Sequence, residues 1–207
     1  MTQRGRRAAT LPVSFFRQDA LAVARGLLGA SLVSRIDGLH SAGRIVEVEA
    51  YLGAADPASH AYASRRHAQN AALYGEAGTW YVYRSYGMHW CANLVTGPPG
   101  HGAAVLLRAV EPLLGIPHMR QRRGRVADGL LAAGPGRLAV ALGITRVLDG
   151  ELMERSALVV EAGVPVPDEA VLQTPRIGIT RAAELPLRFV IRDSRWLSRR
   201  PRRNERV

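Results

Sequence analysis

A chain of 207 residues holds one well-buried core and falls short of two ordinary domains. With 47% hydrophobic and 22% charged residues, and with long apolar runs broken by Arg, Glu or Gly well before the roughly 20 residues a bilayer span requires, the composition excludes a disordered polypeptide and a transmembrane helix. All 28 basic residues are arginine and outweigh 17 acidic ones for a formal charge of +11, which favours a polyanionic partner over a small neutral metabolite without choosing among DNA, RNA and an acidic membrane.

Residues 1–10 and 198–207 are Arg-rich and lack apolar periodicity, so the expected folded domain covers residues 11–197 between two basic, flexible ends. The opening stretch MTQRGRRAATLPVSFF lacks the apolar core of a secretory signal, and the expected location is cytoplasmic. Asp19 is placed to cap a helix through ALAVARGLL, with Leu21, Ala24 and Leu28 on its packing face and Gly29 as its stop. The period then changes to two. SLVSRI, a turn at Asp37-Gly38 and GRIVEVEAYL predict an antiparallel strand pair, with Val46, Val48, Ala50 and Leu52 on one face and Ile45, Glu47, Glu49 and Tyr51 on the other. Residues 53–78 read as a long functional connection with a helical turn near ASRRHAQNAALYG. TWYVYRS and HWCANLVT form a second strand pair, joined at Tyr86-Gly87-Met88 with Tyr86 at an exposed tip.

Farther on, GPPGHG is a loop and the branched apolar run AAVLLRAV a buried strand, followed by a helix through PLLGIPHMRQRR. GPGRLAVALGI predicts a short helix whose free N-terminal N–H groups suit a phosphate, and SALVVEA, RIGIT and PLRFVIR predict later strands. Strands and helices mix without a β-α-β rhythm, and no GxGxxG or phosphate-loop motif is present. The expected class is a single mixed α+β domain with a mainly antiparallel sheet.

Glu49 beside Tyr51 combines a carboxylate with an aromatic face, which suits holding a flat base while positioning and deprotonating water; the competing reading is a solvated strand edge. Arg108 lies inside an apolar strand, where a charge needs a carboxylate partner: Glu49, or alternatively Glu47 or Glu111, unless its stem snorkels from an edge. Trp80, Tyr81, Tyr83, Tyr86 and Trp90 cluster in a chain that is only 6% aromatic. Trp80 and Trp90 are expected in the core, and Tyr86, at a hairpin tip beside glycine, is suited to wedge into a base stack. His60 and His67 fit no metal-binding spacing, and the lone Cys91 permits neither an intrachain disulfide nor a cysteine-based zinc site, so no metal or other cofactor is expected.

Taken in order, LPVSFFRQDALAVARGLLGASLV, RIVEVEAYLGAADPASHAY, GTWYVYRSYGMHWCANLV, VLLRAVEPLLG, AAGPGRLAVALGI, RIGITRA and LPLRFVIRDSRWLS resemble the alkyladenine (3-methyladenine) DNA glycosylase family over nearly the whole domain. The resemblance implies a curved antiparallel sheet and a protruding β-hairpin that enters the minor groove of duplex DNA carrying a damaged purine. It implies Glu49 as general base, with Arg108 and the main chain at Ile177 helping to hold the attacking water. Tyr51 would form one wall of the base pocket and His60 and Tyr83 the other, with His60 also reading the purine edge. Asn93 would obstruct the amino group of normal guanine, and Tyr86 would intercalate. Met88, His89 and Arg181 are expected to touch DNA; His89-Trp90 beside the hairpin and Thr180-Arg181 after RIGI depart from other members. The implied reaction is hydrolysis of the N-glycosidic bond of a flipped alkylated or deaminated purine, with no required protein partner. Without lysine, and unless the N-terminal amine acts, strand cleavage through a Schiff base is not expected. A noncatalytic nucleic-acid binder and a hydrolase of free nucleosides are the competing function classes.

Overall fold

A computed structural model describes residues 9–201. Two helices open the chain, α1 (Val13–Phe16) and α2 (Ala20–Leu27). The Asp19 carboxylate caps α2 by accepting from the main-chain N–H groups of Leu21 and Ala22, both at 2.9 Å. The buried stripe is Ala20, Val23, Ala24 and Leu27, spaced for a 3.6-residue period; Leu21, expected on that face, is 41% exposed. The helix ends before Gly29, whose φ of +88° and close approach to the Val164 carbonyl leave no room for a side chain.

Strands β1 (Ser31–Ser34), β2 (Ser41–Tyr51), β3 (Trp80–Ser85), β4 (His89–Thr96) and β5 (Ala103–Leu114) follow, then helices α3 (Ile116–Arg123) and α4 (Pro135–Leu142), and strands β6 (Leu158–Glu161), β7 (Val171–Thr174) and β8 (Arg188–Ile191). These eight strands form one sheet: six run in the order β3-β4-β5-β2-β1-β6, β8 joins at β2 and β7 pairs with β8, and every pairing is antiparallel. The result is the single mixed α+β domain that the pattern predicts. No helix among the described residues is long and apolar enough to cross a membrane.

β2 organises the sheet. β5 pairs along one of its edges, while the other edge is shared, with β1 opposite residues 41–44 and β8 opposite residues 47–49. At the changeover the register slips between Ile45 and Glu47, so two residues of β2 oppose fewer on β5. This bulge turns Ile45 into the main core with Val48 and Ala50 and sends Val46 into a smaller cluster with Ala109, Leu172, Val190 and Leu197. Simple alternation had put Ile45 with the glutamates. From Glu47 onward the alternation holds.

Helices α2, α3 and α4 cover the main-core face, and Trp80 anchors it, fully buried with Nε1 donating to the Leu158 carbonyl at 3.0 Å. The opposite face is polar and aromatic. There the register aligns Tyr81, Asn93, Leu106 and Glu49 in one row across β3, β4, β5 and β2. The connection over residues 53–78 covers part of this face through 3₁₀ turns at Gly53–Ala55, Tyr62–Ser64 and Ala68–Tyr74, with Ala61 and Leu73 packed against Tyr81, Val95 and Ala104.

Two boundaries differ from the expected ones. Helix α3 begins only after Gly115, because Pro112 and Leu114 still pair with Gly43 and Ala42 of β2. RIGIT is a loop, and the strand is the preceding VLQT, because the Ile177 N–H donates to the Glu49 carboxylate and not to a ladder. Ser198 and Arg199, assigned from composition to a basic tail, bond to Glu47 and Arg188. At the other end Thr10 bridges to Glu161 and the Ala9 carbonyl accepts from the Ala162 N–H, so these expected tail residues are also held, and tail positions 1–8 and 202–207 lie outside the described residues.

Candidate active site

Glu49 has both oxygens engaged. The Ile177 main-chain N–H donates to Oε1 at 2.7 Å, Arg108 Nη1 lies 3.2 Å from the same oxygen, and the Tyr51 hydroxyl donates to Oε2 at 3.0 Å. Its side chain is fully buried. Glu49 therefore sits immediately beneath the floor of a cleft of about 910 Å³ whose lining includes its three partners, Tyr51, Arg108 and Ile177. A carboxylate offers about four lone-pair positions, so one remains for a further donor.

Arg108 meets both carboxylates of the strand, with Nε donating to Glu47 Oε1 at 2.9 Å; Glu111 is not its partner. The solvated-edge reading fails, since Glu47 and Glu49 are both fully buried. Burial opposes ionisation of Glu47, but the Arg108 and Arg188 guanidiniums, with hydrogen bonds from Arg188 and Ser198, hold its carboxyl below the usual range. Burial alone pulls Arg108 toward neutrality, and Glu49 and Glu47 reverse that, holding it firmly cationic.

An aromatic wall faces the cleft. The His60 ring meets Tyr83 edge-on at 4.4 Å between centroids, and Tyr83 stacks on Tyr81 at 5.4 Å. His60 Nδ1 and the Tyr81 hydroxyl are 2.7 Å apart. Burial, then the neighbouring His67, lower the His60 pKa, so the ring is neutral near pH 7. Burial first, with nearby anions adding to it, raises the hydroxyl pKa values of Tyr51, Tyr81 and Tyr83, so all three stay protonated. Asn93 is buried in the cleft wall with Nδ2 donating to the Tyr81 carbonyl at 3.0 Å.

The hairpin of β3 and β4 ends at Tyr86, 84% exposed with φ +50°, a left-handed conformation costing a side-chain-bearing residue about 1–2 kcal/mol. Met88 and His89 are exposed beside it, and His89 leans on α4 where Gly136 lacks a side chain. Arg181 is exposed and outside the cleft lining. Trp90, expected in the core, packs against the main core but is only partly buried, at the edge of the cleft near the Arg84 guanidinium.

A profile of the methylpurine-DNA glycosylase family (MPG) matches residues 14–195. This chain belongs to that family. Among its relatives in the family, one from Methanoculleus marisnigri, bearing the name "Putative 3-methyladenine DNA glycosylase", is 48% identical over 194 residues, which is 92% of this chain and 100% of the relative. Identically named relatives from Myxococcus xanthus and Agrobacterium fabrum are 46% and 45% identical, covering 92% of this chain and 94% and 93% of their own.

Several residues of this family member's site escape a reading of the sequence. Arg176 and Asp56 form a fully buried bidentate pair at 2.5 and 2.8 Å, and the Arg176 guanidinium lies 4.6 Å from the Tyr51 ring centre. Arg188 is fully buried on Glu47 at 2.9 Å. The signal for Arg188 was present, because an arginine inside the apolar run PLRFVIR raises the same question as Arg108. Asp56 lies in a loop with no period to place it, and Tyr81 announced only the wall it shares with Tyr83. Among the described residues no group of His, Cys, Asp and Glu gathers as metal ligands.

Proposed function

We propose that this chain is a DNA glycosylase that excises alkylated or deaminated purines from duplex DNA by hydrolysis, with Glu49 as general base. One observation carries the reading: a buried carboxylate, held by Arg108, Tyr51 and the Ile177 N–H, lies directly under a ring-walled cleft large enough for a purine nucleoside.

In this reading the damaged nucleotide swings out of the duplex and its base enters between Tyr51 and the His60–Tyr83 wall, while Tyr86 fills the gap left in the stack. Asn93 stands where an added amino group on the purine would collide. Water occupies the lone-pair position of Glu49 that its three partners leave open. Arg108 and the main chain at Ile177 keep the carboxylate aimed. The water oxygen bonds to C1′, its proton passes to Glu49, and the electron pair of the C1′–N9 bond leaves with the base. Alkylation at N3 or N7 makes the base cationic, so it departs neutral. A deaminated base departs as an anion unless protonated. Met88, His89 and Arg181 meet the DNA around the hairpin, and the arginine-rich surface supplies sequence-independent attraction.

The test is Glu49→Gln, assayed on duplexes each containing one 3-methyladenine, 7-methylguanine, hypoxanthine or ethenoadenine, with alkaline cleavage reporting abasic sites. The variant is expected to bind damaged DNA and release no base; undiminished release would remove Glu49 from the mechanism.

A further inference from the structure

We propose that Glu47, completed by Ser198 of the C-terminal segment, is a positioning seat that holds the Arg108 guanidinium at the angle from which it reaches Glu49. This rests on Glu49 being the general base.

The Arg108 fork is divided between two jobs. Its Nε donates to Glu47 Oε1 at 2.9 Å and its Nη2 to Ser198 Oγ at 3.3 Å, while Nη1 lies 3.2 Å from Glu49 Oε1. A guanidinium is planar, so anchoring Nε and Nη2 along one edge fixes the direction of Nη1. Glu47 cannot turn to follow a moving arginine. Its Oε1 also accepts from Arg188 Nε at 2.9 Å and from Ser198 Oγ at 2.6 Å, and its Oε2 accepts from the Ser198 N–H at 2.6 Å. Arg188 is pinned in turn by Thr174 Oγ1 at 3.1 Å and by the Arg199 carbonyl. Leu197 seats the segment by packing with Val46, Ala109, Leu172 and Val190.

Stability does not require this construction. Two carboxylates and two guanidiniums, all nearly or fully buried, incur a desolvation cost that a well-packed apolar cluster of equal volume avoids. What an apolar cluster cannot do is aim a cation. The seat's outlet is Nη1, directed at Glu49. The seat also divides the charge of Arg108 between two carboxylates, which keeps Glu49 from being its sole counter-ion.

Removing the Glu47 charge should therefore misaim Arg108. Glu47→Gln loses the charged acceptor of Arg108 Nε, and the guanidinium is then free to swing out of line with Glu49.

The experiment uses full-length Glu47→Gln, Ser198→Ala and Glu49→Gln in single-turnover excision on a duplex carrying one 7-methylguanine. Misplacement on the ångström scale predicts an excision rate about 100-fold lower in Glu47→Gln, with duplex affinity kept within about twofold. Ser198→Ala, which keeps its main-chain bond to Glu47, loses about tenfold. A rate loss with duplex affinity kept, partly rescued in Glu47→Asp where the carboxylate returns, separates aiming from mere support of the fold. Wild-type rates in both seat variants overturn the proposal, as does a rate loss matched by lost DNA binding. If Glu47→Gln does not fold, Ser198→Ala decides alone: a tenfold slower rate supports the seat and an unchanged rate removes it. Full excision by Glu49→Gln refutes the general-base reading itself, whereas an active Glu47→Gln beside an inactive Glu49→Gln refutes only the seat.

Discussion

Replacing Asp56 with Asn strips the charge from one side of a pair whose side chains are both fully buried. In the native protein the Asp56 carboxylate accepts both terminal nitrogens of Arg176, at 2.5 and 2.8 Å, as well as the main-chain N–H groups of Leu52 at 3.2 Å and Ala58 at 3.0 Å. The amide of Asn can donate where the carboxylate accepted, so at least one guanidinium bond is lost and the Arg176 charge stands buried without a counter-ion. Breaking such a pair from one side costs about 3–5 kcal/mol. Arg176 also donates to the Ala50 carbonyl at 3.0 Å, which retains part of its anchorage and places the expected loss near the lower bound, about 3 kcal/mol. For a domain of this size that is a fall in Tm of about 6–12 °C. Urea unfolding followed by circular dichroism measures it. The partner variant Arg176→Met, and the double variant, complete a cycle in which the double loses clearly less than the sum of the singles, because removing both charges leaves none stranded. An Asp56→Asn loss under about 1 kcal/mol, or strict additivity in the cycle, would refute the buried-pair argument.

Tyr86→Ala is expected to leave the urea midpoint unchanged, since the ring is 84% exposed, and to slow excision from duplex DNA far more than from a single-stranded oligonucleotide, by about tenfold for one stacked base lost; equal effects on both substrates would count against a wedge. Acid weakens the fold in a definite window. The Glu47 and Asp56 carboxyls lie below their ordinary values of 4.5 and 3.8, so the stability they contribute is complete above about pH 4.5 and is lost as pH falls through their folded-state values. Urea midpoints from pH 6 downward should decline across that range, and more shallowly in Asp56→Asn. Because the chain has no lysine, borohydride reduction during turnover should trap no covalent protein–DNA adduct on a gel, and a trapped band would show an amine acting as nucleophile.

Much of the polar face was legible before any coordinates. In VEVEAY, alternation put Glu47, Glu49 and Tyr51 on one side, and they do share it, because side-chain direction along a strand is set by that strand's own backbone. The Asp19 cap and the turn at Tyr86 were equally local. Arg108 announced a need, and the sequence could not say which of three glutamates met it; the answer, Glu47 and Glu49 together, depends on how β5 registers against β2. The bulge that moves Ile45 into the core arises where β2 changes partner from β1 to β8, a feature of sheet order with no counterpart in the run GRIVEVEAYL itself. The Asp56–Arg176 pair joins residues 120 positions apart, and Ser198 reaches Glu47 across 151.

The amino-acid sequence thus determined the elements, the faces they present and the kinds of chemistry those faces carry, since these follow from covalent geometry and the cost of burying charge. Only the tertiary structure decided which charges meet. Separate segments of one chain offer several acceptable partners to each buried arginine, and the choice belongs to the packing that brings one carboxylate, and not another, within 3 Å.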